Sequence, residues 1–157
     1  MNLNERNNMA SFDELPATIR GWSKEAHENA IVAVKAASIA AMEAVVKSTP
    51  VDTGTARSNW VTTVDTLFEG QIPAYAPYPK YSGPKLDETA NAEAAIAQGT
   101  AAVQGFTTSN KEVIIQNNVD YIERLNDGSA SLQSSHMLEL GAQAAADAGA
   151  VIVLLKA

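Results

Sequence analysis

The stretch IRGWSKEAHENAIVAVKAASIAAMEAVVKS, residues 19–48, is followed directly by Thr49-Pro50-Val51-Asp52-Thr53-Gly54. Together they decide how the chain is built. Apolar residues recur at Trp22, Ala26, Ala30, Ala33, Ala37, Ala40 and Ala44, joined by Ile31, Val34, Ile39, Met42, Val45 and Val46. That spacing is a broad stripe along one long helix, with Lys24, Glu25, Glu28, Lys35, Glu43 and Lys47 mostly off it. The many alanines let another backbone approach closely. Pro50 ends the helix, because it lacks an N–H and disfavours helical geometry in Thr49. Beyond it, Asp52 is expected to accept backbone N–H groups in an Asx-turn and Gly54 to take positive φ.

Working outward, Thr55–Phe68 reads as a strand around the β-formers Trp60, Val61, Thr62, Thr63 and Val64. Residues 70–86 interleave Pro73, Pro77, Pro79 and Pro84 with Tyr75, Tyr78 and Tyr81. Prolines reduce the entropy such a loop loses on ordering, and tyrosines supply rigid contact area with a polar tip. This marks the loop as an interface element. Asp87 caps a second helix running to about Gln104, with Gly105 ending it. Lys111–Asn117 is a second strand. Val119–Asn126 is a short helix or turn closed by Asp127-Gly128, and Ser134 or Ser135 caps a last helix from His136 to about Ala148. Val151–Leu155 is a further β-like run or a prolongation of that helix.

The expected fold class is therefore α+β: a long N-terminal helix and a C-terminal helix packed on a small, mostly antiparallel sheet. Residues 1–11, polar and Asn-rich, are expected to form a flexible arm, and residues 12–157 a single domain. The whole chain has 157 residues, enough to bury a core without staples, and it has no cysteine. Its start has no apolar run of the signal-peptide kind, and the apolar run Ala148–Leu155 is too short to span a bilayer.

The formal net charge of −7 argues against a general nucleic-acid binder, which needs a basic face. An acidic surface suits a passage through which DNA moves without sticking. With His27 and His136 the only histidines, a zinc site is not expected, and no cofactor is implied. Both histidines read as solvated or capping residues. The remaining acidic residues, Asp65 among them, scatter as a solvated surface would. Asp52-Thr53-Gly54 also matches the triplet of retropepsin-like aspartic proteases. In those enzymes, however, the triplet follows an apolar strand and two aspartates share a proton. Here it follows a helix and a proline, so Asp52 reads as a turn residue and no catalytic residue is assigned.

A second block, Asn117-Asn118-Val119-Asp120-Tyr121-Ile122-Glu123-Arg124-Leu125-Asn126-Asp127-Gly128, lies about sixty residues after the first. The first block continues as Gly54-Thr55-Ala56-Arg57-Ser58-Asn59-Trp60. In this order the two blocks resemble the tail-completion or neck proteins of tailed bacteriophages, the small ring-forming family that includes tail terminators. That family's pattern is Thr-Pro-Val-Asp-Thr-Gly, a small residue, Arg, two residues and Trp. The family's second block reads Asn-Asn followed by a Pro-Tyr-Ile-like step, and here Asp120 stands where proline is usual. The resemblance covers about residues 20–145. It implies a structural virion protein, not an enzyme, assembled in the host cytoplasm and located in the neck or tail. It further implies a homo-oligomeric ring, six-fold or alternatively twelve-fold, that joins connector or adaptor proteins to the tail tube. DNA would pass through its lumen, and no membrane is involved. The structural turn residues are then Pro50, Asp52, Gly54 and Gly128. The interface candidates are Arg57, Trp60, Tyr75, Tyr78, Tyr81, Tyr121, Glu123 and Arg124, with Arg57 near the Tyr121–Arg124 segment or a subunit boundary. The alternatives are another ring-forming tail or capsid-associated protein, and a small hydrolase.

Overall fold

The computed structural model describes residues 15–77 and 89–149. The expected arm 1–11, Tyr78, Tyr81, the Asp87 cap and the run Val151–Leu155 lie outside them. The chain is α+β, with helices α1 (Leu15–Ser48), α2 (Thr55–Ser58), α3 (Thr89–Gln104), α4 (Ile122–Asp127) and α5 (Met137–Asp147), and strands β1 (Trp60–Val64) and β2 (Val113–Asn117). The strands form a two-stranded antiparallel sheet in which Trp60 faces Asn117, Thr62 faces Ile115 and Val64 faces Val113.

The core lies where the second half of α1 meets α3, α5 and the sheet. Met42, Val45, Val46, Trp60, Ala95 and Met137 form its main cluster, and Ala37, Ala41 and Ala145 a smaller one. The small residues along α1 do what their spacing suggests, letting α5 lie close against it. Gly141 of α5 is the tightest point: a Cβ there would sit 2.6 Å from Val45 Cγ1. On α3 the buried positions Asn91, Ala95, Gly99 and Val103 recur every fourth residue, the stripe of a helix seated on a surface.

Two sequence expectations are corrected. Thr55–Phe68 is not one strand. Gly54 is left-handed, and the next four residues make a helical turn in which the Ser58 amide donates to Gly54 O and the Asn59 amide to Thr55 O. The β-formers begin at Trp60, and the strand stops at Val64 because Asp65 has φ 60° and turns the chain away. The second correction concerns α5. Neither Ser134 nor Ser135 caps it. Their hydroxyls donate to the carbonyls of Asn126 and Leu125, and the Asn126 side chain accepts from the Leu138 amide in the first turn of α5. His136 precedes the helix with φ 48° and makes no side-chain cap.

Asp65 is more than one charge of a solvated surface. Its carboxylate accepts from Asn110 Nδ2 at 2.9 Å and from the amides of Lys111 at 2.7 Å and Glu112 at 3.0 Å, tying the end of β1 to the approach of β2. These donors, Asn110 first, hold its pKa below the ordinary 3.8. A carboxylate depressed in the folded state stabilises the fold above its unfolded pKa and loses that contribution as pH falls through the folded value. Urea midpoints measured from neutral pH down to roughly pH 2 should therefore fall less steeply for Asp65→Ala than for the parent chain below about pH 4. Parallel pH profiles would show that Asp65 carries none of the acid sensitivity.

Candidate functional site

The first sequence block is built around the end of α1. A helix leaves its last carbonyls without partners, and here Thr49 organises the solution. Its hydroxyl donates to Val45 O at 2.6 Å and accepts from the Trp60 indole Nε1 at 2.7 Å. Its carbonyl accepts from Arg57 Nη2 at 2.7 Å and Nε at 3.3 Å. A cation at the helix C-terminus also complements the helix dipole. Thr49, Arg57 and Trp60 are thus one contact set, brought together because the α2 turn folds Arg57 and Trp60 back over Thr49. Trp60 is only 3% exposed and belongs to the core, so its place among the interface candidates is corrected. The reason is that Thr49 offers its N–H a buried partner.

Gly54 is held by two demands. Its φ is 87°, and a Cβ would lie 2.3 Å from Asn91 Nδ2 and 3.1 Å from Ala76 O. Asn91 is fully buried and needs that space. Its Oδ1 accepts from Ser58 Oγ and from the Ala76 amide, and its Nδ2 donates to Ala76 O. Asn59 treats Ile72 in the same way, donating to its carbonyl and accepting from its amide at 2.8 Å each. Ser58 Oγ also accepts from the Tyr75 amide. The start of the proline- and tyrosine-rich loop is therefore fastened to α2 and α3 by side chains, leaving the Tyr75 side chain 46% exposed at its surface. Sequence reasoning missed Ser58, Asn59 and Asn91, whose polarity signals nothing of their burial.

The two sequence blocks meet across one depression of about 570 Å³, lined among others by Pro50, Asp52, Gly54, Tyr121, Arg124 and Leu132. Asp52 is exposed, and its carboxylate accepts no hydrogen bond from another described residue, so the expected Asx-turn is absent. The polar contact inside the turn is instead between the Thr53 and Thr55 hydroxyls, 3.1 Å apart. Tyr121 is 42% exposed. Partial burial first and the Asp52 carboxylate second raise its phenol pKa above 10.0. Glu123 and Arg124 are exposed on α4, and Gly128 closes that helix with φ 79°. Arg57 does not join Tyr121 and Arg124. It borders a separate depression with Lys47, Glu93 and Ile96, because its guanidinium is drawn to Thr49 O.

The other unusual surface is α1 itself. At about 1.5 Å per residue its 34 residues extend roughly 50 Å. Every residue from Ile19 to Ala30 whose side chain is described is exposed, whereas Ala37, Ala41, Met42, Val45 and Val46 are buried. Half of the helix therefore stands clear of the body. It carries Ile19 at 55%, Trp22 at 65% and Val32 at 66% exposure. By length and composition alone Ile19–Ser48 suffices to cross a membrane. In the fold, its second half is filled by protein contacts, and its first half carries Arg20, Lys24, Glu25 and Glu28, with Lys24 and Glu28 paired at 3.8 Å. A lipid-facing segment places such charges at heavy cost.

His27 Nδ1 lies 2.6 Å from Ser23 O on its own helix, and no cluster of three His, Cys, Asp or Glu residues suited to a metal occurs among the described residues. The depression offers a mixed surface of a carboxylate, a phenol, a guanidinium and apolar edges.

The turn residues separate by role in a melting experiment. Gly54→Ala should cost on the order of 3 kcal/mol, combining left-handed strain with a displaced buried amide. Asp52→Ala should stay within about 0.5 kcal/mol, as expected of an exposed residue that accepts no hydrogen bond from another described residue. Asp52→Asn should also lower the Tyr121 pKa part of the way toward its ordinary value, which ring-carbon NMR titration would resolve.

In comparisons with known proteins, no family model, no curated protein sequence and no solved structure matches this chain.

Proposed function

We propose that the chain is a structural virion protein of a tailed bacteriophage. Copies assemble into a ring at the head–tail junction, joining connector to tail and leaving a lumen for DNA. The observation that carries this reading is the projecting half of α1. A monomer gains nothing from three exposed helical turns bearing Ile19 and Trp22, and large uncovered apolar residues on one element mark an interaction surface. Helices in water owe most of their stability to packing on a neighbour, so this segment is best supplied with one by a second copy.

Ring closure needs two different patches on each copy, arranged head to tail. The projecting helix offers one. The depression between Pro50–Gly54 and Tyr121–Leu132 offers another of different shape and chemistry. The resemblance of the two sequence blocks to neck and tail-completion proteins supports the location, and the net charge of −7 suits a lumen through which DNA slides. The work is binding and geometry rather than catalysis. Because contacts are completed by neighbours and partners, the isolated protein is expected to be largely monomeric when dilute.

The Ile19→Glu/Trp22→Glu double variant should keep the parent's far-ultraviolet circular dichroism and melting temperature, since both side chains are largely exposed. It should fail to enter rings, seen by electron microscopy of particles assembled with it and by loss of concentration-dependent mass in light scattering. Normal incorporation into particles would remove the helix from the interface. Absence of the parent protein from purified particles would remove the reading as a whole.

A further inference from the structure

The depression between the two sequence blocks carries one charge of each sign. Asp52 comes from the first block and Arg124 from the second. Both are exposed, and neither forms an ion pair with the other or with another described residue. Val51, Leu125 and Leu132, which share the lining, are half-buried. With a volume of about 570 Å³, the space has the size of a site that receives large apolar groups.

The projecting half of α1 carries the converse. At about 100° per residue, Trp22 lies about 60° round the helix from Ile19, with Ala26 between them, and the three make an apolar ridge. Glu25 stands about 60° beyond Trp22 on one flank, and Arg20 about 100° beyond Ile19 on the other. Glu25 and Arg20 are exposed, and neither is ion-paired among the described residues. Lys24 and Glu28, on the far side of the helix, pair with each other. The ridge is thus flanked by one cation and one anion, as the depression is. The ridge and the depression of one copy cannot meet. Pro50 and Gly54 line the depression just past the C-terminal end of α1, and Trp22 lies roughly 40 Å back along the same unbroken helix.

We propose that the ridge of Ile19, Trp22 and Ala26 in one copy seats in the depression of the next, with Arg20 against Asp52 and Glu25 against Arg124. This rests on the reading that copies pair through α1, and adds the surface that receives the helix and the way round that it lies. Charges of opposite sign on the two flanks fix that orientation, because the reversed seating sets like charges against each other. The two surfaces belong to opposite ends of α1, so a pair of copies keeps one ridge and one depression for further copies. That is the requirement of head-to-tail assembly.

Mixing two variants at near-millimolar concentration tests the pairing by NMR. The ¹⁵N-labelled Trp22→Glu variant keeps the depression without the ridge, and the unlabelled Asp52→Arg variant keeps the ridge with a reversed depression. Each alone should be monomeric. Together they should form one-to-one pairs and no larger species, and the labelled amides of Val51–Gly54 and Tyr121–Leu125 should shift. Replacing the unlabelled partner by Arg20→Asp should weaken the pair roughly tenfold or more, and adding Asp52→Arg to the labelled Trp22→Glu chain should restore it. All the substituted residues are exposed, and unchanged core amides would show that each variant folds. A dilution series of the parent chain, which needs no substitution, should move the same amides. Unmoved depression amides in the mixture and in the dilution series would overturn the proposal, as would charge reversal without restoration. Rings in particles beside a silent depression would remove this pairing and leave the proposed function. Pairing in solution by a protein absent from particles would do the reverse.

Discussion

The carbonyl of Thr49 is the group on which the arrangement of the chain turns. α1 ends against the core, with Thr49 fully buried just past its last turn. Arg57 supplies two donors to Thr49 O, while the Thr49 hydroxyl closes the preceding turn and receives the Trp60 indole. An unsatisfied buried acceptor costs about 1–3 kcal/mol, comparable to a large share of a small domain's net stability. Those contacts fix the direction in which the chain leaves α1 and bring Trp60 into the core at the first residue of β1. Everything downstream, the register of β1 on β2 and the seat of α3 on the sheet, inherits that placement.

The two described strands satisfy little backbone between them, and the chain adds to it with amide side chains. Asn59, Asn91, Gln98 and Gln116 each bond both the N–H and the C=O of one residue, respectively Ile72, Ala76, Thr62 and Phe68. A carboxamide has the donor and acceptor of a peptide group, so each clamp behaves as one rung of a missing strand. Asn118 adds bonds to the Phe68 and Gly70 carbonyls. Residues 68–76 are thereby held along much of their length without regular secondary structure. This is the difference between a loop that carries Tyr75 in a defined position and one that carries it anywhere.

How much of this was legible in the sequence depends on the kind of signal. Periodicity and punctuation read well: α1 stops before Pro50, α3 ends at Gln104 before Gly105, and Val113-Ile114-Ile115 is a strand. Local β-propensity extended β1 backward over Thr55–Ser58, where a left-handed Gly54 and the pull of Thr49 on Arg57 make a helical turn instead. Trp60 stands in a motif that suggests recognition, yet its indole N–H finds Thr49 and the ring goes inside. Ser134 and Ser135 have the chemistry of helix caps, but the tertiary fold presents the side chain of Asn126 first. The clamps and the Asp65 knot were invisible, because an Asn, Gln or Asp that will bond a peptide forty residues away looks identical to one that will face water. The two sequence blocks do line one depression, but Arg57 leaves it for reasons only the three-dimensional path reveals.

The chain's two tryptophans end up in opposite surroundings. One indole is enclosed at the junction of α1 and β1 with its N–H bonded, and the other rides on the uncovered half of α1. Optically the protein thus contains two independent reporters. The enclosed one emits at short wavelength, is sheltered from ionic quenchers and follows the integrity of the body. The outlying one emits at long wavelength, is open to quenching by iodide and responds to whatever comes to lie against that helix. A single unmodified sample can therefore display folding and encounter as separable components of one emission spectrum.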